Sequence, residues 1–214
     1  MTITLIIIII TAAVSFMAFN NKQLESDLIF SPPAVTYRNQ WYRFITCGFI
    51  HAHIPHLLFN MYALYLFGTS VEKNFIYIFG NAPGKLLYLA LYLTSLITSL
   101  LPTYTQHKEN YGYASLGASG AVSAVAFCYM FISPLSGIGL IFIPFFDIPA
   151  FIFAPLYLII TSVMAKKNYD NINHSAHLWG SLYGVAFLIV TAYVLSDFRP
   201  ISNFIYQIRS YFHL

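Results

Sequence analysis

The sequence predicts an all-α polytopic membrane protein: one domain over residues 1–214, built as a bundle of six spanning helices. Composition carries the first half of that prediction. The chain is 58% hydrophobic and 8% charged, where a soluble protein carries about 25% charged residues. Its mean hydropathy is +0.69. The spacing of the charges carries the second half. They punctuate the chain, and the apolar intervals approach the length a helix needs to cross a bilayer, about 17–25 residues.

The first span is residues 3–19, which contain an unbroken isoleucine run. No Lys or Arg precedes it, and it is long for a signal core, so it reads as a spanning helix rather than a cleaved signal. A long first loop, 20–54, follows. Connections of this length are often functional. The second span is 55–69: no Asp, Glu, Lys or Arg occurs between Arg43 and Glu72, and Pro55 suits a helix start because its missing N–H costs nothing there. The third is 84–102, followed by a polar loop with Gln106, His107, Lys108 and Glu109. The fourth is 117–132. Pro134, Gly137, Gly139 and Pro144 then mark a loop over 133–146. The fifth is 148–165, closed by Lys166 and Lys167, and the sixth is 175–196. Pro149 and Pro155 would weaken the fifth and make it a candidate gate.

Charge excludes some functions. The formal net charge of +3 is scattered, with no basic block of the kind that binds nucleic acid. Cys47 and Cys128 lack metal-type spacing and read as packing residues. With both termini inside, Lys73, Lys85, Arg199 and Arg209 lie on the cytoplasmic side, and Lys22, Arg38, Arg43, Lys108, Lys166 and Lys167 lie opposite. That runs against the positive-inside tendency, so the count assigns no orientation.

Polar groups inside a span are costly and mark function by default. Ser119 lies in Gly117-Ala118-Ser119-Gly120 at the start of the fourth span. Gly120 and Ala124 share a face there, and such small-residue patterns also serve plain helix packing. A nucleophilic reading needs a base nearby. His177 is the candidate, because Gly180 and Gly184 follow it at +3 and +7 on one helix face. That face has no side chain below the imidazole, so a neighbouring backbone can approach. A serine hydroxyl becomes a nucleophile when a histidine takes its proton. His174, ahead of the span beside Asn171 and Asn173, reads as an interfacial residue.

A third group is His51, His53, His56 and Asn60. His56 and Asn60 are four apart and face one way. Both can donate hydrogen bonds to a carbonyl oxygen turning negative, where one donor is worth about 3 kcal/mol. The three histidines could instead hold zinc. However, no Glu completes an HExxH pattern, and the segment is broken by a proline. Asn60 could also serve as interhelical glue.

Together these residues resemble the rhomboid family of intramembrane serine proteases. The marks are Gly117 to Gly120 on the fourth helix, Ala176-His177 with Gly180 and Gly184 on the sixth, His56 with Asn60 on the second, and Trp41-Tyr42-Arg43 in the first loop. The likeness runs over roughly residues 38–190, in the family's order. It implies a rhomboid-like bundle, a Ser119–His177 dyad without a third carboxylate, and an oxyanion site from His56, Asn60 and the Ser119 N–H. It implies transmembrane protein substrates in the lipid bilayer, no metal or organic cofactor, and a multi-pass protein of a bacterial inner membrane. Some members carry a tyrosine four residues after the serine, where this chain has Ser123. The competing classes are an inactive rhomboid-like scaffold that binds transmembrane helices, and a transporter. The scaffold typically lacks the serine or the histidine, and both are present here. A transporter would show inverted repeats, and none appears.

Overall fold

Thr2 opens the first helix. Its hydroxyl accepts the Leu5 N–H at 3.3 Å, and α1 (Ile3–Phe19) continues through the isoleucine run. Thr4, Ile7, Thr11, Ser15 and Ala18 form its buried face, and Ile9 and Ile10 point outward. Lipid tails are as apolar as isoleucine, so hydroxyls and small residues are what dock such a helix. The computed structural model describes residues 1–140, 143–167 and 172–213.

The expected long loop is largely helical. Asn21 caps α2 (Lys22–Leu28) by accepting the Leu24 N–H. Ser31 and two prolines start α3 (Pro32–Arg38), which ends where Asn39 turns left-handed at φ 56°. Next come α4 (Arg43–Thr46) and a 3₁₀ turn, Cys47–Phe49. These pieces are too short to show as apolar runs, hence the loop reading. They are pinned by Arg43, only 6% exposed. Its Nη1 donates to the carbonyls of Ser26 (2.8 Å) and Ile29 (2.6 Å), and its Nε to Gln40 (2.7 Å).

The second helix runs well past the predicted 55–69. It comprises α5 (Ile54–Ala63), a π-helical turn Leu64–Gly68 and α6 (Thr69–Phe79). Glu72 ended the apolar run in the sequence but is buried in the structure. Its carboxylate accepts the N–H groups of Ile3 (2.8 Å) and Thr4 (2.9 Å) and the Thr4 hydroxyl (2.7 Å). A helix start carries unsatisfied N–H groups and positive partial charge, and here another helix supplies the acceptor. Thr4 Oγ1 also pairs with the Tyr88 hydroxyl at 2.9 Å.

The third helix, α7 (Asn81–His107), overruns its prediction at both ends and contains Pro102. The fourth, α8 (Ser119–Ile132), starts two residues late because Gly117 sits at φ 114°, outside helical space. Residues 120–128 of α8 are all buried, so this helix is the centre of the bundle. The expected loop after it holds a hairpin instead, β1 (Gly137–Leu140) antiparallel to β2 (Ile143–Pro149). Residues 141 and 142 of that expected loop lie outside the described residues. Pro149 therefore ends a strand, and α9 (Ala150–Lys167) contains only Pro155. Asn173 caps α10 (His174–Leu195), and a final helix that the sequence reading lacked, α11 (Pro200–Tyr211), follows. From α11, Asn203 and Gln207 donate to the Ile132 carbonyl at 3.3 and 2.9 Å, closing the C-terminal end of α8.

Two of these helices, α7 and α10, are long and apolar enough to cross a membrane, and α1, α8 and α9 are shorter apolar helices.

Candidate active site

The site forms where α8 and α10 begin. Both helices expose backbone at their contact. A methyl group on Gly180 would lie 2.9 Å from the Gly120 carbonyl carbon, and one on Gly184 would lie 2.6 Å from that of Ala124. Only glycine permits such an approach. It carries the first turn of α10 onto the first turn of α8, and His177 Nε2 lies 2.7 Å from Ser119 Oγ. Both side chains are half-buried. The geometry suits proton transfer from a hydroxyl to an imidazole. Asn173 fixes the start of α10: its Oδ1 accepts the Ala176 N–H at 3.0 Å and the Thr103 hydroxyl at 3.2 Å.

Ser119 is the first residue of α8, preceded by Ala118, whose side chain cannot cap. The turn before it is held from elsewhere. The Gly117 N–H donates to the Cys47 carbonyl at 2.9 Å, and the Ala118 N–H to His51 Nε2 at 3.4 Å. The N–H groups of Ser119 and Gly120 have no partner within the helix.

The predicted second-helix residues meet this turn unequally. The His56 ring packs against Gly117: a methyl there would lie 2.8 Å from His56 Cε1 and 3.0 Å from Nε2. Asn60 is 3% exposed, and its Nδ2 donates to the His56 carbonyl at 3.0 Å. His53 is not part of the site: it caps α5, with Nδ1 accepting the His56 N–H at 3.1 Å. His51, which the sequence reading weighed only as one of three possible zinc ligands, is buried and stands edge-on to His56 with ring centroids 4.9 Å apart. The His174 ring lies 6.0 Å from that of His177. Asn171, read beside it, lies outside the described residues. Among the described residues no three His, Cys, Asp or Glu side chains converge as a metal site.

The Ser123 hydroxyl lies 3.5 Å from the Tyr157 hydroxyl of α9. No spacing within one helix could have shown that. Trp41, exposed at 55%, leans on Phe44 and Tyr104, with centroids 6.0 and 5.7 Å away. A polar cavity of about 320 Å³ lies between the end of α7 and the start of α10, lined by Thr103, Gln106, His107, Tyr113, Asn173 and His174.

A family model described as the Rhomboid domain matches residues 38–194. The chain belongs to the rhomboid family. It is 32% identical to RHOMBOID-like protein 12, mitochondrial, of Arabidopsis thaliana over 145 residues, 64% of this chain and 42% of the relative. It is 34% identical over 92 residues to the Bacillus subtilis (strain 168) protein named "Putative rhomboid protease YdcA", 43% of this chain and 41% of the relative. It is 28% identical over 138 residues to the human presenilin-associated rhomboid-like protein, mitochondrial, 64% of this chain and 34% of the relative. The chain thus spans under half the length of these relatives. Rhomboid proteins are integral to membranes, so the apolar exterior of this bundle faces lipid.

Proposed function

We propose that this rhomboid protein is an intramembrane serine endopeptidase with six spans, α1, the α5–α6 helix, α7, α8, α9 and α10. It cleaves peptide bonds in or near transmembrane segments of other membrane proteins. The observation that carries the reading is the 2.7 Å pairing of Ser119 Oγ with His177 Nε2, in a bundle where an idle polar pair would be costly.

A substrate helix enters laterally and unwinds, since a helical peptide hides its carbonyls. Ser119 Oγ attacks the scissile carbonyl carbon as His177 Nε2 takes the hydroxyl proton. The negative oxygen is held by the Ser119 N–H, His56 and the second N–H of the Asn60 amide. The tetrahedral intermediate collapses, and His177 delivers the proton to the leaving amine, which departs with the C-terminal fragment. Water then attacks the acyl ester and gives its proton to His177. Collapse releases the carboxylic acid, and the proton returns to Ser119. The polar cavity beside His174 supports a water route from the aqueous face. The relatives come from a plant, a bacterium and animals, and two carry mitochondrial names, so they give no support to a bacterial inner membrane in particular.

The test is cleavage of a generic transmembrane substrate by purified protein in detergent, beside Ser119→Ala and His177→Ala. Cleavage by wild type alone is expected, as is fluorophosphonate labelling at Ser119. Equal cleavage by wild type and Ser119→Ala would sink the dyad. Absence of both cleavage and labelling in the wild type would favour the helix-binding scaffold.

A further inference from the structure

Ala118 stands where a helix ordinarily has a capping side chain. Its N–H is one of the four that α8 cannot satisfy internally. The partner comes from 67 residues earlier: His51 Nε2 accepts that N–H at 3.4 Å. The other ring nitrogen, Nδ1, lies 3.0 Å from Ser15 Oγ, and that hydroxyl donates to the Phe49 carbonyl at 2.9 Å. The Ala118 N–H can only donate, so Nε2 accepts and bears no hydrogen. The neutral ring then carries its hydrogen on Nδ1, which donates to Ser15 Oγ and leaves the Ser15 proton for the Phe49 carbonyl. Burial first, and His56 second, hold the His51 pKa down at about 3, consistent with a neutral ring.

We infer that His51 is a positioning residue of the active site: as its Nδ1–H tautomer, with Ser15 accepting that hydrogen, it caps α8 and fixes the Ala118–Ser119 backbone on which nucleophile and oxyanion donor are carried. This rests on the protease reading. Two features explain why this residue rather than another cap. His51 engages the Ala118 N–H and thereby aims the next one, that of Ser119, into the site. Its ring also stands against His56, 4.9 Å away, so one side chain braces both sides of the oxyanion pocket. Because Ser15 belongs to α1, the first helix helps set the geometry of the fourth.

Two conservative variants separate positioning from packing. Glutamine reaches the place of Nε2 and presents an acceptor to Ala118. Asparagine reaches only the place of Nδ1, so it keeps the Ser15 side and abandons Ala118. The inference expects His51→Gln to keep kcat within about threefold. It expects His51→Asn to lose about 10- to 100-fold in kcat with KM within twofold, since a misplacement of about 1 Å costs about 10²-fold. Equal kcat in the Gln and Asn variants would overturn it. On the wild-type protein in detergent, ¹³C and ¹⁵N histidine NMR is expected to find His51 neutral, with its proton on Nδ1, and the Ala118 amide slow to exchange. A proton on Nε2 would refute the inference whatever the activity. If the wild type neither cleaves nor takes the fluorophosphonate label, the protease reading fails, and the tautomer and exchange data still judge the capping by His51.

Discussion

Replacing Gly180 by alanine tests the helix contact on which the candidate site depends. The added methyl would stand 2.9 Å from the Gly120 carbonyl carbon and 3.2 Å from its Cα, and closer still to its oxygen. Ordinary contact starts at 3.4 Å, so the carbon alone asks for about half an ångström. Backbone cannot swing aside as a side-chain tip can, and α8 is buried along residues 120–128, so α10 must move. Overpacking of this kind costs about 1–3 kcal/mol. The same shift would stretch the Ser119–His177 pairing from 2.7 Å to beyond about 3.2 Å, the edge of hydrogen-bonding range. We expect kcat on a transmembrane substrate to fall about 10- to 100-fold, with a lower melting temperature in the same detergent. Gly112→Ala is the control, because its methyl would meet only Asn110 Oδ1 at 3.5 Å. Wild-type kcat and melting in Gly180→Ala would refute the argument, since the helices would then have been free to separate at no cost.

Other perturbations act on the fold as a whole rather than on the Ser119–His177 pairing directly. Glu72→Gln should destabilise the protein by about 3 kcal/mol or more, nearly as much as Glu72→Ala, because an amide NH₂ would face the N–H donors of α1; a melting temperature equal to wild type for the Gln variant would count against the cap. Arg43→Lys should cost about 1–3 kcal/mol, since a point charge cannot serve the Ser26 and Ile29 carbonyls and Gln40 as a planar guanidinium does; limited proteolysis between residues 20 and 50 should speed up, and an unchanged digestion rate would oppose the idea. Acid should weaken the fold through His51. Its folded pKa of about 3 lies below the ordinary 6.5, so the stabilisation is complete above about pH 6.5 and is lost as pH falls toward 3, by on the order of 4 kcal/mol. Denaturant midpoints between pH 7 and 4 should therefore fall more steeply for wild type than for His51→Gln, and parallel curves would contradict the assignment.

What the sequence disclosed, and what it hid, follows from the range of the interactions. Ser119 and His177 were legible because close helix packing leaves a local mark: Gly180 and Gly184 expose one face of α10, and Gly120 and Ala124 expose one face of α8. The His56–Asn60 spacing was legible for the same reason. Glu72 was misread as the end of a span because its partners, the first N–H groups of α1, lie 68 and 69 residues away. The segment 20–54 was read as loop because its helices have four to seven residues, below the length at which an apolar face repeats. Asn60 singled out His56, but nothing in the sequence assigned roles to His51 and His53. One caps a distant helix and one caps its own, and only the folded chain distinguishes them. The tyrosine beside Ser123 comes from α9, which no single-helix pattern can signal.

The carboxylate of Glu72 also bears on the order in which the protein is made. The ribosome releases α1 first, with its leading N–H groups unsatisfied, and the acceptor follows 68 residues later. Until Glu72 follows, α1 has no acceptor for the Thr4 N–H, and among the contacts described above only Ser15, through Phe49 and His51, ties its rotation to the chain made before then. Its outward isoleucines suit any orientation in lipid equally well. Docking of the first two segments is therefore a discrete assembly step, keyed by one buried acid. A fault at Glu72 would leave a chain whose first helix fails to close on the bundle, and because Ser15 of that helix meets His51, the looseness would reach the Ser119 end as well.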